Sequence, residues 1–163
     1  MTSHYKILAL DVATNTGWSV GEAHGTWDLR SKRDESVGMR LIRFRSKLEE
    51  VFKLCGINLV VFERVAGQHQ NAVIVAAELV GVVKTFCEDN KIEYRAYSAG
   101  EVKRHATGKG NSNKAAMIDA AKKKLNRTKQ RAAYFLHLCN LCLVGFVCNN
   151  QPPDNNNKYV YQK

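Results

Sequence analysis

The chain has 163 residues, 45% hydrophobic and 25% charged, which suits one globular domain and is too short for two of ordinary size. Its 25 lysines and arginines against 15 acids give a net charge of +10, which favours a polyanionic partner such as nucleic acid. The longest apolar run is shorter than a membrane helix, and five cysteines without a signal peptide indicate free thiols. We therefore expect a soluble, cytoplasmic protein.

The N-terminal third predicts three strands and a helix. Apolar alternation and glycine punctuation mark the strands, and apolar residues at steps of three and four mark the helix, which a glycine ends. The elements are a strand over residues 5–10 (YKILAL), hairpin strands over 17–21 and 25–29, and a helix from Glu35 to about Gly56.

The middle of the chain alternates strands and helices. The unbroken apolar run INLVVFE (residues 57–63) predicts a parallel strand buried on both faces. A helix over 71–87, a strand over 91–97 and an S-x-x-E capping box at Ser98 and Glu101 follow. A turn-rich loop over 106–113 and a helix over 114–125 come next. This order predicts an α/β fold with a mixed sheet, a three-stranded antiparallel meander plus parallel strands, flanked by helices.

The C-terminal part differs in composition. We expect one domain over residues 1–127, an atypical apolar segment of the same domain over 128–150, and a disordered tail over 151–163 that is rich in proline and asparagine.

Two carboxylates close apolar strands: Asp11 follows YKILAL and Glu63 follows INLVVF. The residue that closes a parallel strand faces the crevice where open sheets bind ligands. Two such acids at one edge can share a divalent cation, and magnesium prefers carboxylate oxygens. The alternative is that Asp11 begins a turn and Glu63 ends a strand at the surface.

Most of the excess positive charge lies in one segment. Residues 101–131 hold ten lysines and arginines against two acids. Within SAGEVKRHATGKGNSNK (98–114), Gly108 and Gly110 allow backbone amides to approach a phosphate. This segment indicates a nucleic-acid-binding face, and the alternative is a solvated helix surface. The candidate DNA-binding side chains here are Lys103, Arg104, Lys109 and Lys114.

The chain resembles the RuvC-type Holliday-junction resolvases of the ribonuclease-H-like superfamily, and within them a phage or prophage member. The resemblance covers residues 5 to about 125 and rests on ILALDVATNTGWSV, LVVFERV and SAGEVKRHATGKGNSNKAAM. It implies a ribonuclease-H-like fold, a homodimer, and cleavage of branched DNA with magnesium or manganese. Asp11 and Glu63 match the first two metal-binding carboxylates, and Lys103 and Lys114 match basic positions near the DNA backbone. The loop after Glu63 (RVAGQHQ) occupies the place where the family often presents a stacking aromatic, and His69 is the nearest candidate for that role.

The resemblance fails at the C-terminus, where the family supplies further acids on a last helix. After Asp119, which we assign to the surface, the only acid is Asp154 in the tail. His137 is the candidate substitute, with a buried core histidine as the alternative. The abrupt change near Arg127 is the pattern that a frameshift in the gene would produce.

Three other functions fit parts of the sequence. An actin-like ATPase would explain D-V-A-T-N-T-G but needs two domains. A zinc module would use His137, Cys139, Cys142 and Cys148, although buried free thiols explain these residues equally. A junction-binding protein that does not cleave would keep the basic face without the C-terminal acids.

Overall fold

The computed structural model describes residues 6–125. Its elements are β1 (Ile7–Asp11), β2 (Asn15–Val20), β3 (Ala23–Asp28), α1 (Gly38–Cys55), β4 (Leu59–Glu63), α2 (Gln70–Asn90), β5 (Glu93–Tyr97), α3 (Ala99–Thr107) and α4 (Lys114–Leu125). The expected segments 128–150 and 151–163 lie outside the described residues, so the proposed domain division remains a prediction.

The five strands form one mixed sheet in the order β3-β2-β1-β4-β5. Strands β1, β2 and β3 pair antiparallel, whereas β4 pairs parallel with both β1 and β5. The antiparallel meander and the parallel strands predicted from the sequence are therefore confirmed. The parallel half matters for function because the carboxyl ends of β1, β4 and β5 meet at one edge.

Each face of the sheet is covered by a pair of helices. Leu10 and Phe62 belong to a core that includes Phe44 of α1 and Phe86 of α2. On the opposite face, Ala9 and Val61 join a smaller core with Val102 of α3 and Met117 of α4. Alternate residues of β1 and β4 are thus buried on opposite faces, which explains why both strands are apolar without interruption.

The observed boundaries differ from the predicted ones by a few residues. Asp11 is the last residue of β1 rather than the first residue after it. Helix α3 continues to Thr107, so the first two residues of the predicted loop are helical. The helix ends there because Gly108 adopts a left-handed conformation with φ of 81°. The predicted cap at Gly56 and the capping box of Ser98 and Glu101 are both confirmed.

Candidate active site

Asp11 and Glu63 lie side by side at the carboxyl ends of β1 and β4. The parallel register pairs Leu10 with Phe62, so the next residues along, Asp11 and Glu63, are neighbours across strands about 4.8 Å apart. Both side chains fall on the sheet face covered by α3 and α4, because they continue the alternation of Ala9 and Val61. The packing of the two strands therefore brings the two predicted acids together.

The turn after Asp11 is held by a buried threonine. Thr16 is fully buried, its hydroxyl donates to the Ala13 carbonyl oxygen at 2.6 Å, and it accepts from the Ala13 N–H at 3.3 Å. The small and hydroxylated residues that follow Asp11 thus form a tight turn into β2. This turn leaves the end of β1 open toward the cavities described below.

The two carboxylates are costly to ionise together. Burial raises the pKa of Asp11. Burial, and then the charge of Asp11, raise the pKa of Glu63, while the positive charge of Lys103 lowers it in part. Two half-buried acids whose negative charges are only partly neutralised by Lys103 form a site that favours a cation.

The basic wall of the site comes from α3 and the start of α4. A cavity of about 340 Å³ contains both carboxylates together with Lys103 and Lys114. Helix α3 begins at a complete capping box, in which the Glu101 carboxylate accepts from the Ser98 N–H at 2.7 Å. The buried Val102 anchors the same helix against the sheet, and Lys103 lines the cavity that contains the carboxylates.

The loop over residues 108–113 is organised by two hydroxyl groups. The Thr107 hydroxyl donates to the Lys103 carbonyl oxygen at 2.9 Å, accepts from the Lys109 N–H at 3.3 Å, and lies 2.5 Å from the Ser112 hydroxyl. Ser112 also donates to the Lys109 carbonyl oxygen at 2.9 Å. A Cβ on Gly110 would lie 3.2 Å from the Gly100 carbonyl oxygen, so the loop packs tightly against the start of α3.

A second cavity opens on the other side of the carboxylates. It measures about 280 Å³ and contains Asp11, Glu63 and the residues from Arg64 to His69. Its floor is made by small apolar side chains at the start of α2, including Ala72 and Ala76. The carboxylate pair therefore lies where two cavities meet.

The structure separates the predicted site residues into two groups. Lys103, Lys114 and His69 line a cavity that contains the carboxylates. Arg104 and Lys109 line neither of these cavities, and their role in DNA binding stays a prediction. Arg104 follows Lys103 by one helical position, which turns its side chain about 100° away.

Some predicted residues lie elsewhere. Asp119 is exposed on α4, as expected for a surface residue. The remaining candidates, His137, Cys139, Cys142 and Cys148, lie outside the described residues. Ser112 and Asn113, which the sequence reasoning quoted within a motif but did not select, line the basic cavity. The sequence signal that could have identified them is a serine and an asparagine directly before a helix, since such residues often cap helices. Asn113 does cap α4, and its side-chain oxygen accepts from the Ala116 N–H at 2.9 Å.

The donor set fits a hard divalent cation. Asp11 and Glu63 offer adjacent carboxylate oxygens, the ligand type that magnesium and manganese prefer. Among residues 6–125 no three His, Cys, Asp or Glu side chains cluster as a metal site, so this part of the chain supplies two ligands.

Asp11→Asn should stabilise the metal-free protein at neutral pH. Because the folded-state pKa of Asp11 is raised, the folded protein holds the proton more tightly, and the free energy of unfolding falls as pH rises above 3.8. We expect the melting temperature at pH 7 to rise by about 2–4 °C. Thermal unfolding from pH 3.5 to 8 should show this gain shrinking toward acid pH; equal curves for both proteins would contradict the burial argument.

Comparisons with known proteins give the family and the fold of the chain. The family model described as crossover junction endodeoxyribonuclease RuvC matches residues 13–134. No curated protein matches the sequence. T. thermophilus RuvC solved in complex with a Holliday junction superposes with a TM-score of 0.74 at 16% identity, covering 89% of this chain and 95% of that one.

Two further solved structures are similar. Another structure of Thermus thermophilus RuvC has a TM-score of 0.71 at 16% identity, covering 87% of this chain and 94% of that chain. The yeast mitochondrial Holliday junction resolvase Ydc2 has a TM-score of 0.63 at 10% identity, covering 85% and 75%. These likenesses confirm the ribonuclease-H-like fold predicted from the sequence.

Proposed function

The chain belongs to the crossover junction endodeoxyribonuclease RuvC family, and on this premise we propose that it is a metal-dependent endonuclease that resolves four-way DNA junctions by hydrolysing phosphodiester bonds. One observation carries the proposal: Asp11 and Glu63 are adjacent at the strand ends, in a cavity whose other wall holds Lys103 and Lys114. Acids that bind a cation and bases that bind phosphate thus share one cavity.

The residues of the chain have separate roles in this reaction. Asp11 and Glu63 would hold Mg²⁺ or Mn²⁺, which supplies an activated water and neutralises charge on the phosphate when bound. Lys103 and Lys114 bind the phosphate backbone and hold the scissile strand against the carboxylates. The hydroxyls of Thr107 and Ser112 keep the lysine-bearing wall in place. His69, exposed at the start of α2, contacts the DNA from the second cavity.

A homodimer completes the proposal, because a two-fold assembly can cut symmetry-related strands of a four-way junction. Helix α2 supports this idea. By length and composition α2 is apolar enough to cross a membrane, yet only 28% of its most apolar 18-residue stretch is buried. Its inner side packs in the core through Val83 and Phe86, while Ile74 is 48% exposed beside Ala77 and Gly81 on the outer side. A second copy of α2 would cover Ile74 and the small residues beside it.

Ile74→Glu should convert the dimer to a monomer, because it places a charge on the exposed apolar part of α2 near its N-terminal end. Light scattering at assay concentration measures the change. Leu54→Glu is the matched control, since Leu54 is 78% exposed on α1, and it should leave the mass unchanged. A wild-type monomer would contradict the dimer without affecting the assignment of the cleavage site.

The second candidate function is a protein that binds junctions without cutting them. It is favoured by the presence of only two carboxylates at the site within residues 6–125. A labelled four-way junction incubated with and without magnesium separates the two. Symmetric nicks that need magnesium support the nuclease, a mobility shift without nicks supports the binder, and the absence of both overturns the proposal.

A further inference from the structure

Arg64 lies on the side of the carboxylates opposite the lysines. Asp11 and Glu63 line both cavities, Lys103 and Lys114 line the one of about 340 Å³, and Arg64 lines the one of about 280 Å³. Of the described residues around this second cavity, Arg64 carries the only permanent positive charge. A DNA strand with a phosphate at the carboxylates continues in both directions, so its backbone also passes the Arg64 side.

The base of the Arg64 side chain is fixed while its end is accessible. Its N–H donates to the Tyr97 carbonyl oxygen at 2.7 Å, and its Nε donates to the Ala96 carbonyl oxygen at 3.3 Å. Both contacts hold Arg64 at the carboxyl end of β5, although the residue itself is exposed. The two terminal nitrogens of the Arg64 guanidinium form a planar fork, whose geometry matches two oxygens of a phosphate.

The charge of Arg64 is not neutralised by a direct partner within residues 6–125. The ion pairs in this part of the chain engage other cations, such as Arg43 with Glu35 and Arg95 with Glu93, each at 2.6 Å. Arg64 acts at a distance on Glu101, whose carboxylate is already bound by the N–H and hydroxyl of Ser98. An exposed, anchored and unneutralised arginine beside a phosphodiester site is suited to bind an anion.

We infer that Arg64 binds a backbone phosphate of the cut strand on the side of the scissile phosphate opposite Lys103. The inference rests on the proposed function and adds to it the path of the strand: across the basic cavity, over the two carboxylates, and along Arg64. The strand is thus held at two points with the reacting phosphate between them, which restrains it for in-line attack.

The first test measures how junction affinity depends on salt in buffer with EDTA, so that no cleavage occurs. Arg64→Gln should weaken binding about fivefold to tenfold at 100 mM salt and reduce the salt slope by about 1. Arg33→Gln makes the same chemical change at an exposed residue outside both cavities and should leave the slope unchanged. Arg64→Lys should lie between wild type and Arg64→Gln, because it keeps the charge and loses the fork.

The second test locates the phosphate with junctions that each carry one neutral methylphosphonate. In wild type one substitution near the cut site should weaken binding, and this loss should disappear in Arg64→Gln. A second methylphosphonate position should weaken binding by wild type but not by Lys103→Gln, and this position should lie on the other side of the scissile phosphate. The inference is overturned if Arg64→Gln has the salt slope of Arg33→Gln. It is also overturned if Arg64→Gln and Lys103→Gln become insensitive to the same methylphosphonate position. Wild-type protein that fails to bind junctions would overturn the proposed function and this inference with it.

Discussion

Asp11→Asn and Glu63→Gln should each lower the rate of junction nicking by about 10³-fold or more. Substituting a group in the outer shell of a metal site commonly costs 10–100-fold, and removing the charge of a direct ligand costs more. Adjacent strands hold Asp11 and Glu63 in register, so nothing else among the described residues at this position can replace either carboxylate. The measurement is the single-turnover rate on a labelled four-way junction with saturating magnesium.

Both variants should still bind the junction in EDTA, with affinities within about threefold of wild type or slightly tighter, because neither loses a basic side chain and each loses a negative charge. Asp34→Asn and Glu22→Gln make the same chemical changes at exposed residues and should cut normally. Wild-type nicking that survives in Asp11→Asn or Glu63→Gln would show that the site is elsewhere. Loss of binding in step with nicking would instead indicate that the variants no longer fold.

Thr107→Val should lower the nicking rate about 10²-fold, because misplacing a positioning group by about 1 Å has effects of that size. The hydroxyl of Thr107 connects the end of α3, at the Lys103 carbonyl oxygen, to the loop at Lys109 and Ser112. Valine keeps the shape of threonine but removes every hydrogen bond of this hydroxyl. We therefore expect the wall that carries Lys103 and Lys114 to shift relative to the carboxylates.

A conservative variant separates an effect on the stability of the fold from an effect on the position of the wall that carries Lys103 and Lys114. Thr107→Ser keeps the hydroxyl and should restore most of the rate, while Thr107→Val should lower the free energy of unfolding by only about 1 kcal/mol. The rate is compared at a temperature where circular dichroism shows both variants folded. Thr26→Val, at an exposed position of β3, is the matched control and should cut normally. A Thr107→Val protein that cuts at the wild-type rate would contradict a positioning role for this hydroxyl.

Much of the fold could be predicted because its signals are local. The unbroken apolar run of β4 indicates burial on both faces, and the apolar residues at steps of three and four in α1 indicate one buried side. Both elements were therefore predicted close to their observed bounds. The capping box of Ser98 and Glu101 is written in four consecutive residues, and it fixed the start of α3 correctly. Helix α4 begins at Lys114, as predicted. Such features depend on hydrogen bonds and packing between residues a few positions apart.

The acids of the site could also be selected from the sequence. Asp11 and Glu63 each close an apolar strand, and the carboxyl ends of parallel strands share an edge. The pattern alone left open whether both strands were parallel neighbours, and the pairing of β1 with β4 decided it.

The tertiary structure decided which basic residues face those acids. Lys103, Arg104 and Lys109 are equally charged in the sequence, yet only Lys103 among them lines the cavity. The reason is packing: Val102 and Met117 seat α3 and α4 on the sheet, and this contact fixes which side of α3 faces Glu63. Arg64 likewise acquires its position from β5, which lies more than thirty residues further along the chain. The sequence thus determined the elements and the chemistry they carry, whereas contacts between distant segments decided which side chains meet.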